Sequence, residues 1–241
     1  PATVLMTIIM DGGGGCGKTT LATEVILPLL ETYYHPEGVL RRAPSNKPAR
    51  IIGGRTMHSG QGLTPENSMR TAALALNPQS RQKLNLTHAD AGVLYIDESS
   101  QLQGELNHAA SLRTTYIRES KYKLNRNIYS SPAERFGRIA FLIYSQDHLQ
   151  LPPVPASSSM LAPLEGTSDE HKVGAKIFRN AELVFRFNVR VCQIGWARQP
   201  WAGPPPQILH SYRQGLGRPG APNPSLGQAR PGGVTPGLPQ G

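Results

Sequence analysis

Val4-Leu5-Met6-Thr7-Ile8-Ile9-Met10-Asp11-Gly12-Gly13-Gly14-Gly15-Cys16-Gly17-Lys18-Thr19 is the stretch on which the fold turns. Val4–Met10 is a short, continuous apolar run, the pattern of a parallel strand buried on both faces rather than one with a wet side. Residues 12–19 then satisfy GxxxxGK[ST] position by position, and Lys18–Tyr33 follows with Leu21, Val25, Leu29 and Leu30 at helical spacing. Strand, glycine loop and helix form the phosphate-binding P-loop unit. Glycines let the backbone curl and present N–H groups to a phosphate where a Cβ would intrude. Lys18 is expected to reach the β- and γ-phosphates of ATP. The Thr19 hydroxyl is expected to ligate Mg²⁺, and the helix N-terminus adds a favourable dipole. Cys16 stands where a thiol near the helix end could be exposed and redox-active, but its favoured reading is a small loop residue, and Pro28 is expected to kink or stop the helix early.

Such a loop needs a carboxylate at the end of a neighbouring strand. Gly92–Ile96 (GVLYI) is a second apolar run, and Asp97-Glu98 follow at once. Asp97 would hold the metal. Glu98 would orient and deprotonate the attacking water, which makes the reaction a hydrolysis. Ile139–Tyr144 (IAFLIY) is a third buried strand, leading to Asp147 and Gln150-Leu151-Pro152-Pro153-Val154. Gln150 is placed to bond the γ-phosphate or the water and so to report the nucleotide state.

The remaining chain fills in an α/β pattern. Val39–Ala43 reads as a strand ending at Pro44, Asn77–His88 and Gln101–Glu119 as helices, and Glu182–Ile194 as holding one more strand. The expected fold class is α/β, a RecA-like P-loop NTPase with a parallel sheet flanked by helices, over residues 1–199. From Pro200 to Gly241 there are ten prolines, nine glycines and no acidic residue or lysine. With few apolar anchors to offset the entropy of ordering, this reads as a disordered Pro/Gly-rich tail, residues 200–241.

The formal net charge is +9 and the pI about 9.8, which favours polyanionic partners, nucleic acid among them. Two cysteines, Cys16 and Cys192, make neither a disulfide framework nor a closed zinc site. No apolar run approaches the roughly 20 residues that cross a bilayer, so the expectation is an intracellular protein without a membrane partner.

In this order the motifs resemble those of the superfamily 1B DNA helicases of the Pif (petite integration frequency) and RecD type. Gly12-Gly13-Gly14-Gly15-Cys16-Gly17-Lys18-Thr19-Thr20 is similar to motif I, which holds the nucleotide. Ala43-Pro44-Ser45-Asn46-Lys47-Pro48-Ala49 is similar to motif Ia, and Gly54-Arg55-Thr56-Met57-His58-Ser59 to the G-x-T-x-H-S that follows it. Tyr95–Ser100 resembles motif II, Gln146–Val154 motif III, and Arg198-Gln199 the RQ pair of motif IV. The resemblance implies a 5′–3′ DNA helicase motor using ATP and Mg²⁺, with nuclear or mitochondrial residence if eukaryotic. It also implies that Ser45, Thr56 and His58 lie along single-stranded DNA, touching phosphates rather than bases, and that Arg198 acts as a finger on the γ-phosphate.

Departures accompany the matches. Asn46 and Pro48 replace glycine and alanine in motif Ia. Gln146 replaces the glycine of motif III, which predicts a strained or re-routed turn before Asp147. Arg190 rivals Arg198 as the finger. No adenine-gripping segment precedes the first strand and no second RecA-like domain follows Gln199, so the expectation is one motor domain of two. The alternative is a non-catalytic nucleotide- and nucleic-acid-binding remnant.

Overall fold

β1 (Met6–Gly12) lies inside a seven-stranded sheet of order β3-β2-β4-β5-β1-β6-β7, comprising also β2 (Val39–Ala43), β3 (Arg55–Thr56), β4 (Val93–Ile96), β5 (Phe141–Gln146), β6 (Leu183–Phe187) and β7 (Ile208–Leu209). The computed structural model describes residues 6–64, 76–122, 132–147, 149–188 and 208–209. The first six strands are parallel; β7 adds to β6 antiparallel. β7 falls inside the stretch expected to be a disordered tail, where Ile208-Leu209 is the one adjacent pair of large aliphatic side chains.

Helices cover both faces, as continuous apolar strands require. On one face Ile9, Leu94, Ile96, Leu142 and Tyr144 pack with α6 (Gly104–Tyr122) and α7 (Asp169–Arg179), through Leu106, Ala110, Ile177 and Phe178. On the other, Met10, Val93, Tyr95 and Ile143 pack against Ala22 and Leu27 of the helix that leaves the glycine loop. Leu94, Ile96, Leu142 and Tyr144 are fully buried, so the sheet centre is rigid.

The helix after the loop does not stop at Pro28. It runs as α1 (Lys18–Leu21), a π-helical turn (Ala22–Ile26) and α2 (Leu27–Tyr34). Proline lacks an N–H and its ring crowds the carbonyl four residues back; the wider turn just before Pro28 is where such a clash is absorbed. Pro48 is harmless for a related reason. It stands third in α3 (Asn46–Ile51), among the first N–H groups of a helix, which have no intrahelical acceptor.

The third strand begins at Phe141, two residues later than Ile139, and runs on through Gln146. Gln146 pairs with Asp11 in extended register and is not among the residues with positive φ, so the predicted strain before Asp147 does not occur. α7 is a helix that the sequence reading missed. Parallel order brings the ends of β1, β4 and β5 to one edge: Asp11 lies beside Gln146, and Ile96 beside Tyr144. Among the described residues, no helix is long and apolar enough to cross a membrane.

Candidate active site

The glycine loop leaves β1 and enters α1 through Gly17 at φ 87°, a conformation that favours glycine. Gly12 is required for space: a Cβ there would lie 2.8 Å from Phe187 Cβ and 2.9 Å from Cys16 Sγ. The thiol fills the room the absent side chain leaves. Cys16 is therefore 5% exposed, which sets aside the redox alternative and leaves it a small loop residue.

Lys18 folds back over the loop, its Nζ donating to Gly12 O at 2.7 Å and Gly13 O at 3.1 Å and lying 3.6 Å from Cys16 Sγ. Buried to 9% exposure, it holds its ammonium over the hollow that the loop encloses. Residues 14–20, Asp97, Glu98 and Gln150 line one cleft of about 240 Å³. Chain segments 78 residues apart meet in it: Thr19 Oγ1 donates to Asp97 Oδ2 at 3.2 Å. Two oxygens bound at right angles to one Mg²⁺, at roughly 2.1 Å each, would stand about 3.0 Å apart. The pair therefore fits adjacent positions around a single magnesium ion. No three His, Cys, Asp or Glu side chains cluster as a metal cage among the described residues. A cation here would complete its shell with phosphate and water.

Asp97 is itself held. The buried Tyr95 hydroxyl donates to Asp97 Oδ1 at 3.0 Å, leaving Oδ2 for Thr19. Burial first, and then the charge of Asp97, push the ionisation of Tyr95 far up, so the hydroxyl remains a donor. The sequence shows only the two-residue spacing of Tyr95 and Asp97; the bond is visible once both are in place.

Glu98 adopts the left-handed conformation, φ 51°, and opens a 3₁₀ turn over Ser99–Gln101. Burial raises its pKa above the ordinary glutamate value. Its Oε1 accepts from Gln150 Nε2 at 3.4 Å, and Gln150 Oε1 accepts from Gln101 Nε2 at 3.3 Å. Gln101 is a second residue that sequence reading missed. Asp147, from the same loop as Gln150, comes within 3.3 Å of where a Gly14 Cβ would be and accepts from the Leu149 N–H at 2.9 Å.

No protein-family model matches the sequence, and no curated protein does. Among solved structures, the chain is similar to the Pif1 helicase from Candida albicans at 24% identity and a TM-score of 0.49, over 76% of this chain and 36% of that one. It is similar to the Pif1 helicase from Bacteroides in complex with ADP-AlF3 and ssDNA at 20% identity and a TM-score of 0.47, over 77% and 38%. The Bacteroides Pif1 bound to ssDNA gives 20%, 0.46, 76% and 38%. The chain spans little more than a third of the length of these proteins.

The expected DNA residues stand apart from the cleft but on the same sheet edge. Ser45 is exposed two residues beyond β2, as the N-cap of α3. Thr56 ends β3 directly beside Ala43. Its Oγ1 accepts from the Ser59 N–H at 3.1 Å and so caps α4 (Met57–Gln61), which gives it a structural task as well. His58 is half-buried on α4, and burial lowers its pKa. With neighbouring strands about 4.8 Å apart, β2 and β3 place these residues roughly 14–19 Å along the edge from β1. Arg198 and Arg190 lie outside the described residues. Arg186, next to last in β6, is half-exposed, with Nε 3.7 Å from Asp11 Oδ2, and Asp11 Oδ1 accepts from Gln146 Nε2 at 3.2 Å.

Proposed function

We propose that this chain is the ATP-hydrolysing motor domain of a DNA-helicase-type protein that binds single-stranded DNA and moves 5′–3′. The observation that carries the reading is the 3.2 Å contact between Thr19 and Asp97 within the cleft that also holds Lys18, Glu98 and Gln150. Nothing in the architecture of a glycine turn calls for that convergence; a triphosphate with its cation does.

In this reading the loop N–H groups and Lys18 receive the β- and γ-phosphates, Lys18 exchanging the Gly12 and Gly13 carbonyls for phosphate oxygens. Thr19 and Asp97 would hold Mg²⁺, which when bound neutralises charge on the phosphate oxygens. A water on the Glu98 side attacks the γ-phosphorus in line. Its proton passes to the Glu98 carboxylate as the bond between the γ-phosphorus and the bridging oxygen breaks, and ADP leaves with both bond electrons. Gln150, already bonded to Glu98, is placed to hold the water or the γ-phosphate.

Single-stranded DNA as partner, and the direction of movement, rest on the motif resemblance. The net charge of +9 and the exposed or half-buried Ser45, Thr56 and His58 on the same edge support a phosphate-tracking strand. The test is phosphate release with and without single-stranded DNA, for the wild type and Lys18→Ala. Slow release that DNA stimulates and Lys18→Ala abolishes is the expected result. Equal release by both proteins removes the enzymatic reading, and DNA binding that persists without it establishes a non-catalytic remnant.

A further inference from the structure

Gln150 matters to the chemistry only if its amide points the right way. A primary amide has a donor end and an acceptor end, and a half-turn exchanges them. Glu98 presents Oε1 to the Gln150 NH₂ at 3.4 Å, while the Gln150 carbonyl oxygen accepts from Gln101 Nε2 at 3.3 Å. Turned over, Gln150 would set its carbonyl against the carboxylate and its NH₂ against the NH₂ of Gln101. Both bonds would be lost and replaced by like dipoles.

The turns that carry these side chains are held by their backbone. The Gln101 N–H donates to Glu98 O at 3.0 Å, closing the turn that left-handed Glu98 opens. Ser99 Oγ ties the same turn to Ser145 O of β5 at 3.0 Å, and Leu102 behind it is fully buried. On the other side the Gln150 N–H donates to Asp147 O at 3.1 Å. Two rigid turns, one after β4 and one after β5, thus meet through a pair of glutamine side chains. The bonds are at the long end of the range.

We infer that Gln101 is a positioning residue: its NH₂ group sets the orientation of the Gln150 amide, and so holds that side chain's donor end toward Glu98 and the γ-phosphate position. The inference rests on the proposed ATPase reading for its consequence, but the orientation itself is a property of the free protein.

The full chain is therefore tested in two ways. The side-chain NH₂ signals of Gln150 in a ¹H–¹⁵N spectrum, identified by their loss in Gln150→Ala, are compared between wild type and Gln101→Leu. They are expected to collapse toward the position of a solvated glutamine in the variant; signals that stay put overturn the inference. In turnover, Gln101→Leu is expected to lower kcat about fivefold, the worth of one neutral hydrogen bond, with KM for ATP unchanged. Introduced into Gln150→Ala, the same substitution should change nothing further, because Gln101 acts through Gln150. An additive loss in the double variant overturns the inference. Gln101→Glu keeps the shape but offers an acceptor where a donor is needed, and should be worse than Gln101→Leu; a wild-type rate from Gln101→Glu means that only volume matters, and overturns it too. Should the wild type release no phosphate while the Gln150 signals still collapse in Gln101→Leu, the ATPase reading falls and the positioning role stands.

Discussion

Replacing Glu98 by glutamine separates the chemistry of the cleft from its architecture. The amide has the shape of the carboxylate, its oxygen can still accept from Gln150 Nε2, and the left-handed backbone at φ 51° is borne equally by either residue. What disappears is the ability to take a proton from water. Positioned general bases contribute about 10²–10⁴-fold, so kcat for ATP should drop by that factor while nucleotide affinity is retained. Glu98→Asp tests distance instead of basicity. It draws the carboxylate back by one carbon–carbon bond, about 1.5 Å, and misplacement of that order costs about 10²-fold.

The stability of the glutamine variant moves the other way. Burial raises the Glu98 pKa, so near neutral pH the ionised side chain opposes folding, and the neutral amide should melt at the wild-type temperature or above it. The same shift sets a pH signature. A base works only when ionised, so wild-type turnover falls as pH drops through a pKa lying above the ordinary glutamate value; the residual activity of Glu98→Gln lacks that limb. Phosphate release across pH, fluorescent-nucleotide titration and thermal melting are the three measurements. Turnover within threefold of wild type, or loss of nucleotide binding together with turnover, would refute the reasoning.

Other consequences are as direct. Tyr95→Phe removes the donor to Asp97 Oδ1; with Asp97 holding Mg²⁺ as proposed, the loss should weaken apparent Mg²⁺ affinity at least tenfold, read from the Mg²⁺ dependence of turnover. The buried Arg118 donates to Gly137 O, His88 O, Ala89 O and Ala91 O, tying α5 (Pro78–His88) to the turn before β5. Arg118→Met strands those carbonyls and should cost about 4 kcal/mol in urea unfolding. Burial holds the pKa of His88 down to about 3 and that of His108 to about 4. The unfolded chain therefore takes up more protons, and stability present above pH 6.5 is lost as pH falls toward those values. At pH 5 each histidine should withdraw about 2 kcal/mol, and a flat unfolding midpoint between pH 7 and 5 would contradict this.

The parts of this architecture that were legible before folding are those with one physical solution. A two-faced apolar run such as Leu142-Ile143-Tyr144 has nowhere to go but the sheet interior, and Gly17-Lys18-Thr19 after a strand has one known geometry. α7 stayed hidden because its buried face is built from His171, Gly174 and Ala175 as well as Ile177 and Phe178. Histidine and glycine do not register in a hydrophobic pattern. Its markers were polar instead: Ser168 capping the His171 N–H, acids in the first turn, and Lys176 and Arg179 in the last. How deeply Cys16 is buried was not legible because exposure depends on a neighbour, Gly12, whose missing side chain makes a pocket that no local pattern displays. Gln101 and Tyr95 were overlooked for a related reason. Their work is to hold other residues, and that is visible only when the partners are in place.

Glu98 gathers these threads into one economy of structure. Of the residues lining the cleft it is the one non-glycine residue in the left-handed region, a conformation that costs an ordinary side chain about 1 kcal/mol or more. Glycine would relieve that cost but would bring no base. A helical or extended residue would carry the carboxylate but would carry the backbone elsewhere, and Gln101 would not return to face Gln150. The sharp bend is therefore what lets a single β4 end present Asp97 to Thr19 and Glu98 to Gln150 within one cleft. Buried Ser99 and Leu102, fastened to β5 and to the core, supply the packing that keeps the bend in place. In the proposed reading, the strain sits where two adjacent acids do two different jobs.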